Sequence, residues 1–406
     1  MRVLVLGGYG AVGNVICREL VKHRCIDEVV CAGRSLERAE AFVSRYKSDK
    51  LSAMKVDLFD VESLGKVVKG FDVVINAADY RFNLRVMRAC VDAGANYQDL
   101  AFGWSYETMH LSRVEAYKKQ LELDDAFREK GLVALLNTGQ DPGISDLIAG
   151  YAADTMDHLY EVRMKDCGIM KSKEPVSVWS PRLLWIDMIV PPLVYEDGAY
   201  KEVPPFSGEE VYNFPEPIGP QPCYHHAHEE VVVMPFYLKD LRYVEFKMGG
   251  PDMPFAKAIY DYGLAGTKPI KVGKVEVEPL EVFLALAPPT LRPHEVEEKI
   301  EKGIIEDEIA CILLDVVGER SGKEVRATYY SMLRLKEVNK RMRGVTATSY
   351  FVGIGACVFT ELLAENRIKS RGIAPPEALE KEEREALIRR LEEKGIVINK
   401  IERTTL

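Results

Sequence analysis

Three of the seven histidines in this 406-residue chain fall within four positions, in the stretch Cys223-Tyr224-His225-His226-Ala227-His228-Glu229-Glu230. Imidazole titrates near neutral pH, and neighbouring carboxylates shift it, so such a stretch suits a metal site, a proton-transfer centre or a polar turn. Zinc takes three or four ligands at rigid spacing. Here His226, His228 and Glu229 form an HxHE cluster without a histidine pair four apart or a partner motif elsewhere, which disfavours a metal. Pro215, Pro217, Pro220 and Pro222 mark an irregular loop just before it, so a packed polar turn stands beside substrate binding as a reading.

A second group of residues lies at the N-terminus. A β-branched run, Arg2 to Leu6, leads into Gly7-Gly8-Tyr9-Gly10-Ala11-Val12-Gly13 and then a helical pattern through Leu20. Gly8, Gly10 and Gly13 fit GxGxxG: one glycine for the tight turn, one for backbone approach to a pyrophosphate, one for helix packing on strand. The helix N-terminus adds N–H groups and a positive dipole end, so Gly8 through Gly13 is expected to hold a dinucleotide. Twenty residues on, where an acid would select NAD, stand Gly33-Arg34-Ser35. Arginine and a hydroxyl suit a 2′-phosphate, which favours NADP and leaves NAD possible.

Further strand-like runs at 28 to 33, 52 to 57, 73 to 78, 96 to 100 and 132 to 137 alternate with helical patterns such as Leu36 to Tyr46. Alternating βα units predict a parallel sheet covered on both faces, an α/β Rossmann domain. Ligands bind beyond the carboxyl ends of such strands. That rule places Asp57 near the adenine, Asn76, Ala77 and Ala78 at the nicotinamide side, and Asp99 at the cofactor edge as a catalytic candidate, with loop capping as its alternative. Tyr97 is a weaker pocket candidate, and Asp141 and Gly143 follow the sixth strand towards the ribose or substrate.

From His158 to about Gly344 proline, aromatics and strand-like alternation increase, which predicts an inserted α+β domain with a mixed or antiparallel sheet. A helical apolar stretch with Gly353 and Gly355 follows, and its most membrane-like part, Tyr350 to Phe359, is far short of the roughly 20 residues a span needs. Fifty-four basic against 63 acidic residues, net −9, disfavour nucleic acid or an anionic membrane as partner. Eight cysteines without a CxxC pair read as reduced residues of a cytoplasmic protein.

In order along the chain, "GGYGAVG", "AGR", "NYQDLA", "LLNTGQDPGISDLIAGYAAD", "EVYNFPEPIGP", "YHHAHEE" and "RGIAPPEAL" resemble the saccharopine dehydrogenase-like family, in its saccharopine reductase and carboxynorspermidine dehydrogenase branches. The resemblance implies a Rossmann domain (1–140), an inserted substrate and dimerisation domain (141–345), C-terminal helices returning to the first domain (346–406), and a homodimer. It implies NAD(P)-dependent hydride transfer at a CH–NH bond of an amino acid or opine-like secondary amine, through an imine. His228, Glu229 and Glu230 match the family's "HEE" facing the nicotinamide. His228 is then expected to pair with a substrate carboxylate or move a proton, Glu229 to hold an ammonium group, and Glu230 to contact substrate. Asp99 aligns with the family's aspartate after the fifth strand. Residues 102–107 depart from the carboxynorspermidine pattern, and 170–189 have no clear counterpart. Two alternatives stay open: lysine 6-dehydrogenase-like deamination of a diamino acid, and a non-catalytic NADP-sensing regulator. Arg163, Lys165, Lys171 and Arg182 are candidate anchors for a substrate carboxylate.

Overall fold

The computed structural model describes residues 1–404. Its first sheet is formed by β1 (Arg2–Leu6), β2 (Glu28–Gly33), β3 (Leu51–Lys55), β4 (Val73–Asn76), β5 (Asn96–Asp99) and β6 (Val133–Leu135). Gly372–Ile373 adds a seventh strand, and the spatial order is β3-β2-β1-β4-β5-β6 followed by that late strand. All pairings are parallel. Near-continuous apolar strands bury both faces. Leu4, Leu6, Val30, Ala32 and Val74 enter one core, whereas Val3, Val5, Val29, Cys31, Val73 and Ile75 enter another on the opposite side. The strand order reverses between β1 and β4, which opens the ligand crevice of a doubly wound sheet there.

The second unit is built on β7 (His158–Ser172), the core of a nine-stranded mixed sheet. The long hairpin Ile305–Arg320 and Lys323–Arg334 pairs antiparallel on one side of β7, and Tyr243–Gly249 pairs parallel on the other. Gly219–His225 lies antiparallel beyond Tyr243–Gly249. Val162 and Met164 face a core shared with helices Ile144–Asp154 and Ala347–Ala364. Strand alternation therefore turns Asp166 towards that same face and Lys165 away from it.

Helix Ala347–Ala364 is 18 residues long and apolar enough to cross a membrane, beyond the stretch 350–359 read as its most membrane-like part, but 78% of it is buried inside the protein. A Cβ at Gly353 would lie 2.6 Å from the Val15 side chain, and one at Gly355 would lie 2.4 Å from the Gly139 carbonyl. The helix thus cements the two sheets together. Helix Lys381–Glu393 is pinned to it by Arg390, which pairs with Glu361 at 2.8 Å and Glu365 at 3.0 Å. The eight cysteines are free, and all but the half-buried Cys25 are buried.

Candidate active site

The chain leaves β1 through Gly7, whose φ of +79° takes the left-handed turn, so Gly7 and not Gly8 supplies that function. A Cβ on Gly13 would sit 2.2 Å from the Gly7 carbonyl, which restricts the helix start to glycine. Ala77 donates its N–H to Leu6 at 3.0 Å, bringing the loop after β4 against the glycine turn. At the tip of β2, Tyr9 lies over Gly33 and accepts the Ser35 N–H at 3.1 Å. Ser35 caps helix Leu36–Tyr46 through the Arg38 N–H. Arg38, which the sequence did not single out, stacks over the Tyr9 ring at 4.6 Å. Arg34 is exposed beside them, and a cavity of ≈ 460 Å³ opens here, lined by Tyr9, Arg38, Arg45 and, from the second unit, Arg292 and His294. A glycine cradle that Cβ atoms would fill, with a basic tip on β2, fits a dinucleotide phosphate chain.

Ala11 and Ala78 flank the same crevice by position. Val12 is 6% exposed, with its side chain in the core, so only its backbone can face a cofactor. Asn76 is also a correction: it is 4% exposed, and its amide is locked to Asn83 Oδ1 at 2.7 Å, so it shapes the loop instead of meeting the nicotinamide. Asp57 is exposed beyond β3 and accepts the Phe59 N–H at 3.0 Å.

The histidine stretch lies where strand Gly219–His225 ends and helix Glu230–Tyr237 begins. His225 is fastened to Ser207 Oγ at 3.1 Å and Glu245 at 2.9 Å. His226 is buried, and burial, with the nearby His228 and Arg113 cations, holds its pKa well below the usual value. His228 stacks flat on Phe246, with ring centroids 3.9 Å apart and planes within 7°. Its Nδ1 meets Glu230 Oε2 at 2.5 Å and lies 3.7 Å from Glu229 Oε2. Burial disfavours the charged ring, yet Glu230, Glu229 and Asp141 outweigh it and lift the pKa to about 10. Glu230 feels the converse: burial pushes it up, while His228 and Ser145 more than reverse that. Ser145 Oγ donates to Glu230 at 2.7 Å.

Glu230 is 0% exposed with both oxygens engaged, which corrects its expected substrate contact; it orients His228 instead. His228, Glu229 and Glu230 place three donor atoms within 4.8 Å of one another. Those groups already answer each other, through the His228–Glu230 contact and an Arg113 Nη2 bond to Glu229 at 2.9 Å. His228 Nδ1 and both Glu230 oxygens are therefore already engaged, as is Glu229 Oε1.

Further acids face this centre. Asp141 follows β6, and burial, with Asp166 and Glu230 near it, drives its pKa well up. Gly143 next to it has φ +137°, and its N–H caps onto Asp146 at 2.8 Å, so its role is in the turn. Burial lifts Asp166 to about 6 against the pull of His228, and lifts Asp187 to about 7 with help from Glu229. Asp187 comes from helix Pro181–Ile189, within the segment the sequence left unassigned. Asp166 and Asp187 were missed because nothing local in a strand or a short, largely apolar helix marks which face meets the histidine centre.

Asp99 requires the plainest correction. It ends β5 as expected, but it is 0% exposed, and its oxygens accept from the Asn137 N–H at 2.7 Å, Asn83 Nδ2 at 3.0 Å and Tyr97 OH at 3.1 Å. Burial raises its pKa to about 7. A carboxyl closed off in this way can position Asn137 and Asn83 but cannot touch a ligand without rearrangement. Tyr97 is likewise 0% exposed and belongs to the core. The four proposed cationic anchors are paired elsewhere: Arg163 with Glu161, Lys165 with Glu210, Lys171 with Glu306 and Arg182 with Glu281.

Two family models cover almost all of this architecture: the saccharopine dehydrogenase NADP binding domain matches residues 3–135, and the saccharopine dehydrogenase C-terminal domain matches residues 139–396. The chain belongs to the saccharopine dehydrogenase family. It is therefore a nicotinamide-dependent oxidoreductase of the type that acts on carbon–nitrogen bonds. Carboxyaminopropylagmatine dehydrogenase of Synechocystis sp. is 24% identical over 92% of this chain and 92% of its own length. Carboxynorspermidine synthase of Vibrio cholerae is 28% identical over 80% of this chain and 79% of its own. The fold matches saccharopine dehydrogenase (L-Glu forming) from Saccharomyces cerevisiae with a TM-score of 0.72 at 19% identity, covering 100% of both chains. In this saccharopine dehydrogenase family member, Tyr80, in the loop after β4, feels the charges of Asp187 and Glu229, so the β4 end of the first sheet lies beside the acid-rich histidine centre.

Proposed function

We propose that the protein joins an aldehyde and an amine through an imine and reduces the imine, with NADPH, to a secondary amine that carries several ammonium groups and a carboxylate. The reverse oxidation uses the same groups. The observation that carries this reading is the set of carboxyls gathered at His228: Glu230 at 2.5 Å and Glu229 at 3.7 Å from Nδ1, with Asp166 and Asp187 close enough to feel the ring's charge. Such a surface favours a polycation over a substrate dominated by carboxylates. The names of the Synechocystis and Vibrio relatives support a carboxylated polyamine over saccharopine.

Condensation of amine with aldehyde releases water, and reduction then adds a hydride to carbon and a proton to nitrogen. The nicotinamide supplies the hydride when bound. His228, held protonated by Glu230, is the group we assign to proton transfer at nitrogen through Nε2, and Glu229 is assigned to an ammonium group. Arg34, Ser35 and Arg38 at the β2 tip support NADPH over NADH. We assign residues 1–140 to cofactor, 141–345 to substrate and self-association, and 346–398 to closure of the first domain, while strand Asn399–Thr404, expected to return there too, pairs instead with Lys323–Arg334 of the second sheet. Exposed apolar residues between Phe255 and Leu286 support a homodimer, and the unpaired cysteines support a cytoplasmic setting.

The test is NADPH oxidation with an aldehyde-bearing amino acid and a diamine. The KM for the amine should fall as pH rises from about 6 to 7, because Asp166 and Asp187 ionise there and attract ammonium groups more strongly. Cofactor reduction by free lysine in place of this reaction would favour deamination. Tight NADPH binding with no turnover on any such pair would favour the regulator.

A further inference from the structure

Arg113 is set into the acidic seam beside His228, and its guanidinium is incompletely used. Its side chain belongs to helix Arg113–Leu121 of the first unit and is 8% exposed. Nη2 donates to Glu229 Oε1 at 2.9 Å, while Nε and Nη1 are buried and make no hydrogen bond among the described residues. The Trp104 ring lies 5.5 Å from the guanidinium carbon and limits its tilt. Asp187 and His226 both feel its charge, which places it between the first unit and the catalytic loop. Buried guanidinium N–H groups without acceptors are costly, and such cost persists where a ligand completes the site. The acceptor that matches a fixed planar cation is a carboxylate.

We propose that Arg113 anchors the carboxylate of the substrate, which rests on the reading above only in taking that substrate to be a carboxylated amine. Glu229 holds the guanidinium through Nη2 and leaves one further edge, through Nη1 or through Nε, to the incoming group. The same Glu229 carries an oxygen towards His228, so one side chain sets the spacing between the anchored carboxylate and the proton-transfer ring. Specificity follows: an amine lacking the carboxylate leaves the buried donors unpaired and is discriminated against.

The experiment is calorimetry on the NADPH-loaded full chain with two probes, an N-(carboxyalkyl)diamine and the parent diamine lacking the carboxylate. The native protein should prefer the carboxylated probe by roughly 10- to 100-fold. Arg113→Gln should abolish that preference while NADPH affinity stays unchanged, and Arg113→Lys, which keeps the charge, should restore part of it. If Arg113→Gln does not fold, loss of most of the preference in a folded Arg113→Lys supports the anchor. Equal binding of both probes to the native protein, or an undiminished preference in the variants, overturns it. A preference that depends on Arg113 in a protein that never oxidises NADPH would refute the proposed reaction and leave the anchor standing.

Discussion

Replacing Glu230 by glutamine isolates what sets the proton affinity of His228. The change keeps the shape and the bond from Ser145 but removes the charge 2.5 Å from Nδ1. His228 stands at about 10 against a usual 6.5, although burial works in the opposite direction. Glu230 acts on the ring through both its charge and its hydrogen bond, ahead of Glu229 and Asp141. Its removal should lower the ring's pKa by about 2 units or more, on the order of 3 kcal/mol in the balance between the two forms. In the amine-forming direction, where the ring must be protonated, the native rate should hold until pH approaches 10. Glu230→Gln should lose rate with a midpoint near or below about 8. Initial NADPH oxidation rates across pH 6 to 10.5 read the kinetic limb, and an NMR titration of the ring reads the same pKa without turnover. A ring pKa that stays near 10 in the variant would show that Glu230 does not control it. The linkage sign agrees: a raised folded-state pKa stabilises the protein fully below about 6.5 and loses that contribution as pH rises through about 10, so Glu230→Gln should reduce stability at neutral pH.

His228→Ala should lower turnover by about 10²- to 10⁴-fold with little change in NADPH affinity, whereas His225→Ala should mainly lower Tm, because His225 ties Ser207 to Glu245; equal effects on turnover would remove His228 from proton transfer. Arg34→Ala combined with Arg38→Ala should weaken NADPH by roughly 10- to 100-fold and leave NADH almost unaffected, read by fluorescence titration of each cofactor; parallel losses for both would place the 2′-phosphate elsewhere.

The cofactor half was largely legible because its determinants are local. A β-branched run, a glycine turn and a capped helix specify their own backbone, so strand Glu28–Gly33 and helix Leu36–Tyr46 have the bounds their pattern suggests. Even there, the left-handed turn belongs to Gly7, since the closeness of Ala77 that demands it comes from another strand. The long apolar helix was legible as a helix but not in its setting, because composition cannot distinguish a helix meeting lipid from one wedged between Val15 and Gly139.

Sequence by itself determined the family, the Rossmann half and the presence of a histidine and glutamate centre, because these rest on residue type and short spacing. Tertiary structure decided the roles within that centre. Burial turned Asp99, Tyr97 and Glu230 into supports, and folding of the second sheet onto the first carried Asp166, Asp187 and Arg113 to His228 from remote segments. Charge and desolvation depend on what lies across the seam, and only the packed chain specifies that.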